Sequence, residues 1–113
     1  MKRGDIWTVA GGSDDAGKPR QAVIVQDDAF DATASVTICP FTPQAVDAPL
    51  MRVPIEPSER NGLPATSHVM IDKMTTVSKK KLERCVGRLS DEDIVRVNRA
   101  VVVFLGLAGS GAR

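Results

Sequence analysis

The stretch RQAVIVQDDAFDATASVTICPFT, residues 20–42, decides the fold that the sequence predicts. Residues 21–26 have β-branched side chains at their centre, and residues 35–39 alternate between polar and apolar side chains. The turn-forming link at residues 27–33 suits an antiparallel connection between them. We therefore expect two paired strands in the core of an antiparallel sheet.

Further short strands are predicted on both sides of this pair. They are residues 6–9, 51–53, 67–73 and 85–89. Five of the seven prolines lie between residues 43 and 64, which excludes a long helix there and leaves room only for an edge strand. In residues 67–73, a period of two puts Val69 and Ile71 on one face and His68, Met70 and Asp72 on the other.

A helix is predicted at the C-terminal end of the chain. Ser90 has the character of an N-cap, and the acidic residues after it complement the helix dipole. Apolar residues then recur at spacings of three and four, and the helix is expected to end at Gly106. Val102 and Val103 widen the apolar surface, so the helix is either deeply packed or shared with a second subunit. Many short strands followed by one helix predict a mainly β, α+β fold.

Length and composition favour one soluble domain over residues 1–113, with 42% hydrophobic and 26% charged residues. The net charge of +1 gives no global attraction to nucleic acid, so any polyanion site must arise locally. The N-terminus lacks a secretory signal, and the longest apolar stretch, residues 100–105, is too short to span a bilayer. We expect a cytoplasmic protein without a membrane partner.

Metal and disulfide sites are not expected. Cys39 and Cys85 have no second Cys or His at ligand spacing. The acidic residues Asp27, Asp28 and Asp31 are typical of a turn rather than of a metal site.

Arg20 and Thr42 are the first candidates for chemistry. A guanidinium at the entry to a buried strand is always charged and forked to match two phosphate oxygens. The Thr42 hydroxyl could donate to a phosphate beside it. The alternatives are a solvated surface arginine and an ordinary strand ending before Pro43.

Asp72 and His68 are the second pair of candidates. Aspartate is disfavoured in strands, so Asp72 is either a general base or orienting partner for a 2′-hydroxyl, or one half of an ion pair across the sheet. His68, the only histidine, is the side chain with an ordinary pKa near neutrality, although a lone strand histidine is more often structural.

A local basic patch is formed by Lys79, Lys80 and Lys81 with Arg84 and Arg88. Such a run is usually a solvated face, but it could also attract an acidic peptide or an RNA backbone. With three phenylalanines and one tryptophan, aromatic residues are too few for a base-stacking platform.

Several motifs together resemble the MazF/PemK family of toxins from type II toxin–antitoxin pairs. In order, they are Arg3-Gly4-Asp5-Ile6-Trp7, Gly17-Lys18-Pro19-Arg20, Pro40-Phe41-Thr42, Asn61-Gly62-Leu63 and Asp72-Lys73-Met74-Thr75-Thr76-Val77. The resemblance implies a CcdB/MazF/PemK-like fold, a bent antiparallel sheet partly closed as a barrel with a terminal helix, working as a homodimer. It also implies metal-independent, sequence-specific cleavage of single-stranded mRNA by 2′-oxygen attack, without a cofactor, and neutralisation by a cognate antitoxin.

The resemblance carries functional roles onto matching positions. Arg20 and Thr42 correspond to catalytic or phosphate-binding residues of the family, and Asp72 corresponds to an acidic residue that some members use as a base. Lys18, Lys73 and Thr75 in the matching motifs, with Lys79 of the basic patch, are the expected RNA-binding residues.

The chain also departs from the family pattern. Gln21 replaces a usual proline, Lys73 a glutamine and Thr75 an arginine, and Met70 stands where some members place an arginine that acts as the acid. We hypothesise that His68 or Lys73 takes over part of that work. A gyrase poison of the CcdB type is the alternative, but its target-binding helix carries a Trp, whereas Trp7 is near the N-terminus here. A barrel that binds RNA or protein without catalysis is a further alternative.

Overall fold

A computed structural model describes residues 1–10 and 20–109, in which a seven-stranded antiparallel sheet precedes one α-helix. The strands are β1 (Asp5–Val9), β2 (Arg20–Ile24), β3 (Ser35–Thr42), β4 (Arg52–Ile55), β5 (Ser67–Met70), β6 (Thr75–Ser78) and β7 (Leu82–Arg88), and the helix is α1 (Asp91–Phe104). The predicted mainly β fold with a terminal helix is confirmed.

The predicted central pair is present as β2 and β3. Val23 lies opposite Cys39, and Ala22 lies opposite Pro40. The link between the strands contains a 3-10 turn at Asp28–Phe30, capped by the Asp27 carboxylate, which accepts from the Ala29 amide at 2.9 Å. These acidic residues therefore form a turn, as predicted.

The sheet has the order β4-β5-β3-β2-β1-β7, with β6 also paired to β3. β5 pairs with β3 at Phe41 and Thr42, whereas β6 pairs with its first half at residues 35–38. The strand expected over residues 67–73 ends at Met70, because Ile71–Lys73 form a 3-10 turn that buries Ile71 completely. The expected partial closure into a barrel is not found: among the described strands, β4 and β7 lie at opposite ends of the order and the sheet is open.

Apolar residues are buried on both faces of the sheet. The larger cluster includes Val23, Cys39 and Phe41 of the central strands, and α1 covers it with Val97 and Ala100. A smaller cluster on the other face is built from Val9, Ala22, Ile24, Val36 and Ile38. The central strands are thus held on both sides, which fixes the positions of the residues at their ends.

The helix begins and ends as predicted. The Ser90 hydroxyl accepts from the Asp93 amide at 3.1 Å, and the chain leaves the helix before Gly106, which has a φ of 78°. Near this end Val102, Val103, Phe104 and Leu105 are 38–52% exposed, so the last turn of the helix is not deeply packed within the described chain, although Val97 and Ala100 are buried. No helix in the described part is long and apolar enough to cross a membrane.

Candidate active site

Three of the predicted catalytic residues form a row across neighbouring strands. Continuing the β2–β3 register by two residues places Arg20 opposite Thr42, and β5 pairs Thr42 with His68. Residues directly opposite each other share one face, with Cβ atoms about 4.5–5.5 Å apart. The backbone ladder therefore brings a cation, a hydroxyl and an imidazole together.

Arg20 and Thr42 line a common cleft of about 240 Å³ at the ends of β2 and β3. The other residues that line it are Gln21, Phe41, Pro43, Pro64, Ala65 and Ser67. The Thr42 hydroxyl accepts from the Gln44 amide at 3.2 Å, which leaves its own proton free to donate. A phosphate in this cleft would meet both a guanidinium and a hydroxyl donor.

His68 is half-buried beside Thr42. Its Nδ1 is buried, and no described residue makes a hydrogen bond with it. Buried polar atoms without a partner in the protein are typical of functional sites or of sites that bind ordered water. The ring therefore has no neighbour in the described chain that fixes its tautomer.

Asp72 forms a two-bond ion pair with Arg52 of β4. Arg52 Nε donates to Oδ1 at 2.7 Å, and Nη2 donates to Oδ2 at 3.0 Å. This hydrogen bonding lowers the pKa of Asp72 and raises the pKa of Arg52. Of the two interpretations left open by the sequence, the ion pair across the sheet is present. Neither Asp72 nor His68 is in the described lining of the cleft, although His68 pairs with Thr42, which is.

The predicted RNA-binding residues do not gather at this cleft. Lys18 lies outside the described residues. Lys73 is exposed at the end of the 3-10 turn, and Thr75 is exposed opposite Ile38. Lys79 donates to the Asp31 carbonyl and forms an ion pair with its carboxylate at 3.5 Å.

The distance of the basic patch from the cleft follows from the β3 register. Ser78, which precedes Lys79, lies opposite Ser35 at the start of β3, whereas Thr42 ends that strand. At about 3.3 Å per residue the two ends are about 23 Å apart. Within the patch, Arg88 is paired with Asp5 at 3.0 Å.

Sequence reasoning did not identify Arg52 or Ser67. A signal for Arg52 was present, because Val53 and Ile55 are buried and the alternation puts Arg52 on the face opposite them. Ser67 starts a predicted strand, and nothing in the sequence shows that the strand begins at a cleft. Among the described residues, no group of three or more His, Cys, Asp or Glu side chains could hold a metal ion.

Comparisons with known proteins agree on one family. The family described as PemK-like, MazF-like toxin of type II toxin–antitoxin system matches residues 2–105. The chain is 55% identical over 109 residues to a probable endoribonuclease MazF from Mycolicibacterium smegmatis, covering 96% of this chain and 100% of that protein.

Solved structures show the same fold. One is an endoribonuclease in complex with its cognate antitoxin from a mycobacterial species, with a TM-score of 0.81, 24% identity, and coverage of 96% of this chain and 98% of that one. Another is a MazE–MazF structure from Deinococcus radiodurans, with a TM-score of 0.72, 18% identity, and coverage of 96% and 98%.

Proposed function

The chain belongs to the PemK-like, MazF-like toxins of type II toxin–antitoxin systems and is an endoribonuclease, and from this premise we propose that it cleaves single-stranded mRNA in the cleft shared by Arg20 and Thr42. The observation that carries the proposal is this shared cleft. A cation and a hydroxyl donor converge there at the ends of adjacent strands.

The proposed reaction is attack of the ribose 2′-oxygen on the adjacent phosphorus. The new bond joins the 2′-oxygen to phosphorus, and the bond from phosphorus to the 5′-oxygen breaks. The 2′-hydroxyl gives its proton to a water molecule, the 5′-oxygen gains one from a protein donor, and the products are a cyclic phosphate and a 5′-hydroxyl end. Arg20 and Thr42 stabilise the charge that develops on the phosphorane, and the better donor contributes about 3 kcal/mol.

We assign proton transfer to His68 rather than to Asp72. Asp72 is poorly suited to take a proton, because both its oxygens accept from Arg52 and its pKa is lowered. His68 lies opposite Thr42, and its imidazole ring has two nitrogens that can donate or accept a hydrogen bond. We assign it protonation of the leaving 5′-oxygen. Lys73, the other donor that the sequence suggests, is less favoured because it is not in the described lining of the cleft.

The decisive experiment incubates a long single-stranded RNA with the pure protein in excess EDTA. Discrete cuts with 5′-hydroxyl ends are expected. Arg20→Ala and Thr42→Val should each slow cleavage by about 10²-fold, whereas Arg60→Ala and Thr66→Val, at positions that do not line the described cleft, should not. Cleavage by Arg20→Ala at the wild-type rate would overturn the proposal.

Cleavage rates of single variants separate the two proton donors. His68→Gln should slow cleavage by about 10²-fold, and Lys73→Gln should leave the rate near that of the wild type. An unchanged rate in the double variant would exclude both residues from the reaction.

We also propose that the protein is a homodimer. The apolar surface at the end of α1 continues to Leu107, which is 72% exposed. Exposed apolar patches of this kind mark interaction surfaces. Sedimentation analysis should show a dimer that Val103→Glu dissociates, with Phe30→Glu, an exposed apolar residue in another turn, as the control.

A cognate antitoxin with an acidic, apolar tail is the proposed inhibitor in the cytoplasm. Lys80, Lys81 and Arg84 are exposed and form no ion pair within the described residues, so they can attract such a tail. Titration with the co-expressed antitoxin should stop RNA cleavage at a fixed stoichiometry. The gyrase alternative is not favoured, since Trp7 packs in β1 against the smaller core cluster.

A further inference from the structure

Gln21 lies at the cleft in a position that the proposed reaction does not use. It follows Arg20 in β2, is half-buried and lines the same cleft. Successive strand residues point to opposite faces, so Gln21 shares its face with Phe41, opposite which the continued β2–β3 register places it. The cleft thus extends across the ends of β2 and β3, from the Arg20 face of the sheet to the Gln21 face.

The Gln21 amide is available for a ligand. Among the described residues, none makes a hydrogen bond with it. An amide offers a donor and an acceptor side by side, which matches the edge of a nucleobase. By contrast, Gln26, beyond the other end of β2, uses its amide within the protein, because it donates to the Phe30 carbonyl and accepts from the Thr37 amide.

The surroundings of Gln21 suit a planar apolar group with a polar edge. Phe41, Pro43 and Pro64 provide apolar walls. Ser67 adds a hydroxyl that donates to the Ala65 carbonyl at 3.0 Å and keeps its lone pairs as acceptors. With about 240 Å³, the space is smaller than the roughly 300–1,000 Å³ of drug-sized pockets, so it fits one base.

We propose that Gln21 is a specificity-determining residue that reads the base next to the cleaved phosphate. The inference rests on the proposed function, because it places that phosphate at Arg20 and Thr42. Phosphate contacts position a nucleic acid and base contacts specify it. Adjacent residues of one strand would then divide these tasks, with the cation on one face and the amide on the other.

The test sequences the cut sites in a randomised single-stranded RNA library. Gln21→Ala should flatten the base preference at one position beside the cut by about tenfold, with a smaller effect on the rate at the best site. Gln21→Glu should move that preference toward guanine, whose N1–H and N2–H donors pair with a carboxylate. Gln44→Ala, an exposed amide next to Pro43 that does not line the described cleft, is the matched control.

A binding measurement keeps the inference testable apart from catalysis. Four uncleavable 2′-O-methyl homopolymers are titrated against the wild type and Gln21→Ala, and the four Kd values are compared. The wild type should rank the bases, and the variant should bind them more equally. The same ranking and the same cut sites in both proteins would overturn the inference, whereas failure of the wild type to cleave would overturn the proposed function alone.

Discussion

Asp72→Asn separates the two roles that the sequence allows for this carboxylate. In the structure, Asp72 accepts two hydrogen bonds from Arg52, and its side chain is 19% exposed. Ion pairs that water reaches contribute about 0.2–1 kcal/mol, and the two-bond geometry favours the upper end. With an unfolding entropy of about 2.1 cal/mol/K per residue, a loss of about 1 kcal/mol lowers Tm by about 4 °C.

The assay measures Tm and the RNA cleavage rate on the same sample at fixed protein concentration. We expect the Tm to fall while the native enzyme keeps most of its cleavage rate. In an Arg52→Met background, Asp72→Asn should cost almost no further stability, because the partner of the carboxylate is already gone.

A general base at Asp72 predicts the opposite pattern. Its removal would slow cleavage by about 10²–10⁴-fold. A loss of that size with an unchanged Tm, and the same loss in the Arg52→Met background, would refute the ion-pair assignment and restore Asp72 to the reaction.

Three further predictions follow from the same structure. The pKa of Asp72 is lowered on folding, so the stabilisation by its carboxylate is present above the unfolded pKa of about 3.9 and is lost as pH falls through the folded pKa. The Tm difference between wild type and Asp72→Asn should therefore vanish in acid. A constant Tm difference down to pH 2 would contradict this. Burial raises the pKa of Cys39 to about 12, so a thiol reagent at pH 8 should label exposed Cys85 alone until the protein unfolds, and rapid labelling of both would be inconsistent. Ser90→Ala removes the cap of α1 and should lower the free energy of unfolding by about 1 kcal/mol in chemical denaturation, whereas Ser90→Asp should retain the cap and its stability.

Local sequence signals predicted the central strands and the helix. The β-branched centre of β2 and the capping serine of α1 act over a few residues, and both elements form where expected. β6 was missed because its residues Thr75–Ser78 are exposed or half-buried and carry no buried alternation. The open sheet could not be predicted either, because closure depends on whether the two edge strands, β4 and β7, come close enough to pair.

The site was predictable to the extent that strand register decides it. Arg20 begins β2 and Thr42 ends β3, and the sequence predicted that these two strands pair, so the shared cleft follows from the hairpin. The partner of Asp72 was not predictable, because Arg52 is 20 residues earlier and meets it only through the β4–β5 pairing. The cleft walls at Pro64 and Ser67 likewise depend on a loop whose path the sequence does not give.

The row of Arg20, Thr42 and His68 owes its spacing to main-chain pairing rather than to the side chains themselves. Exchanging one of these side chains therefore changes the chemistry and leaves the scaffold in place. A change of base preference at a neighbouring strand position such as Gln21 would likewise leave in place the groups that break the bond.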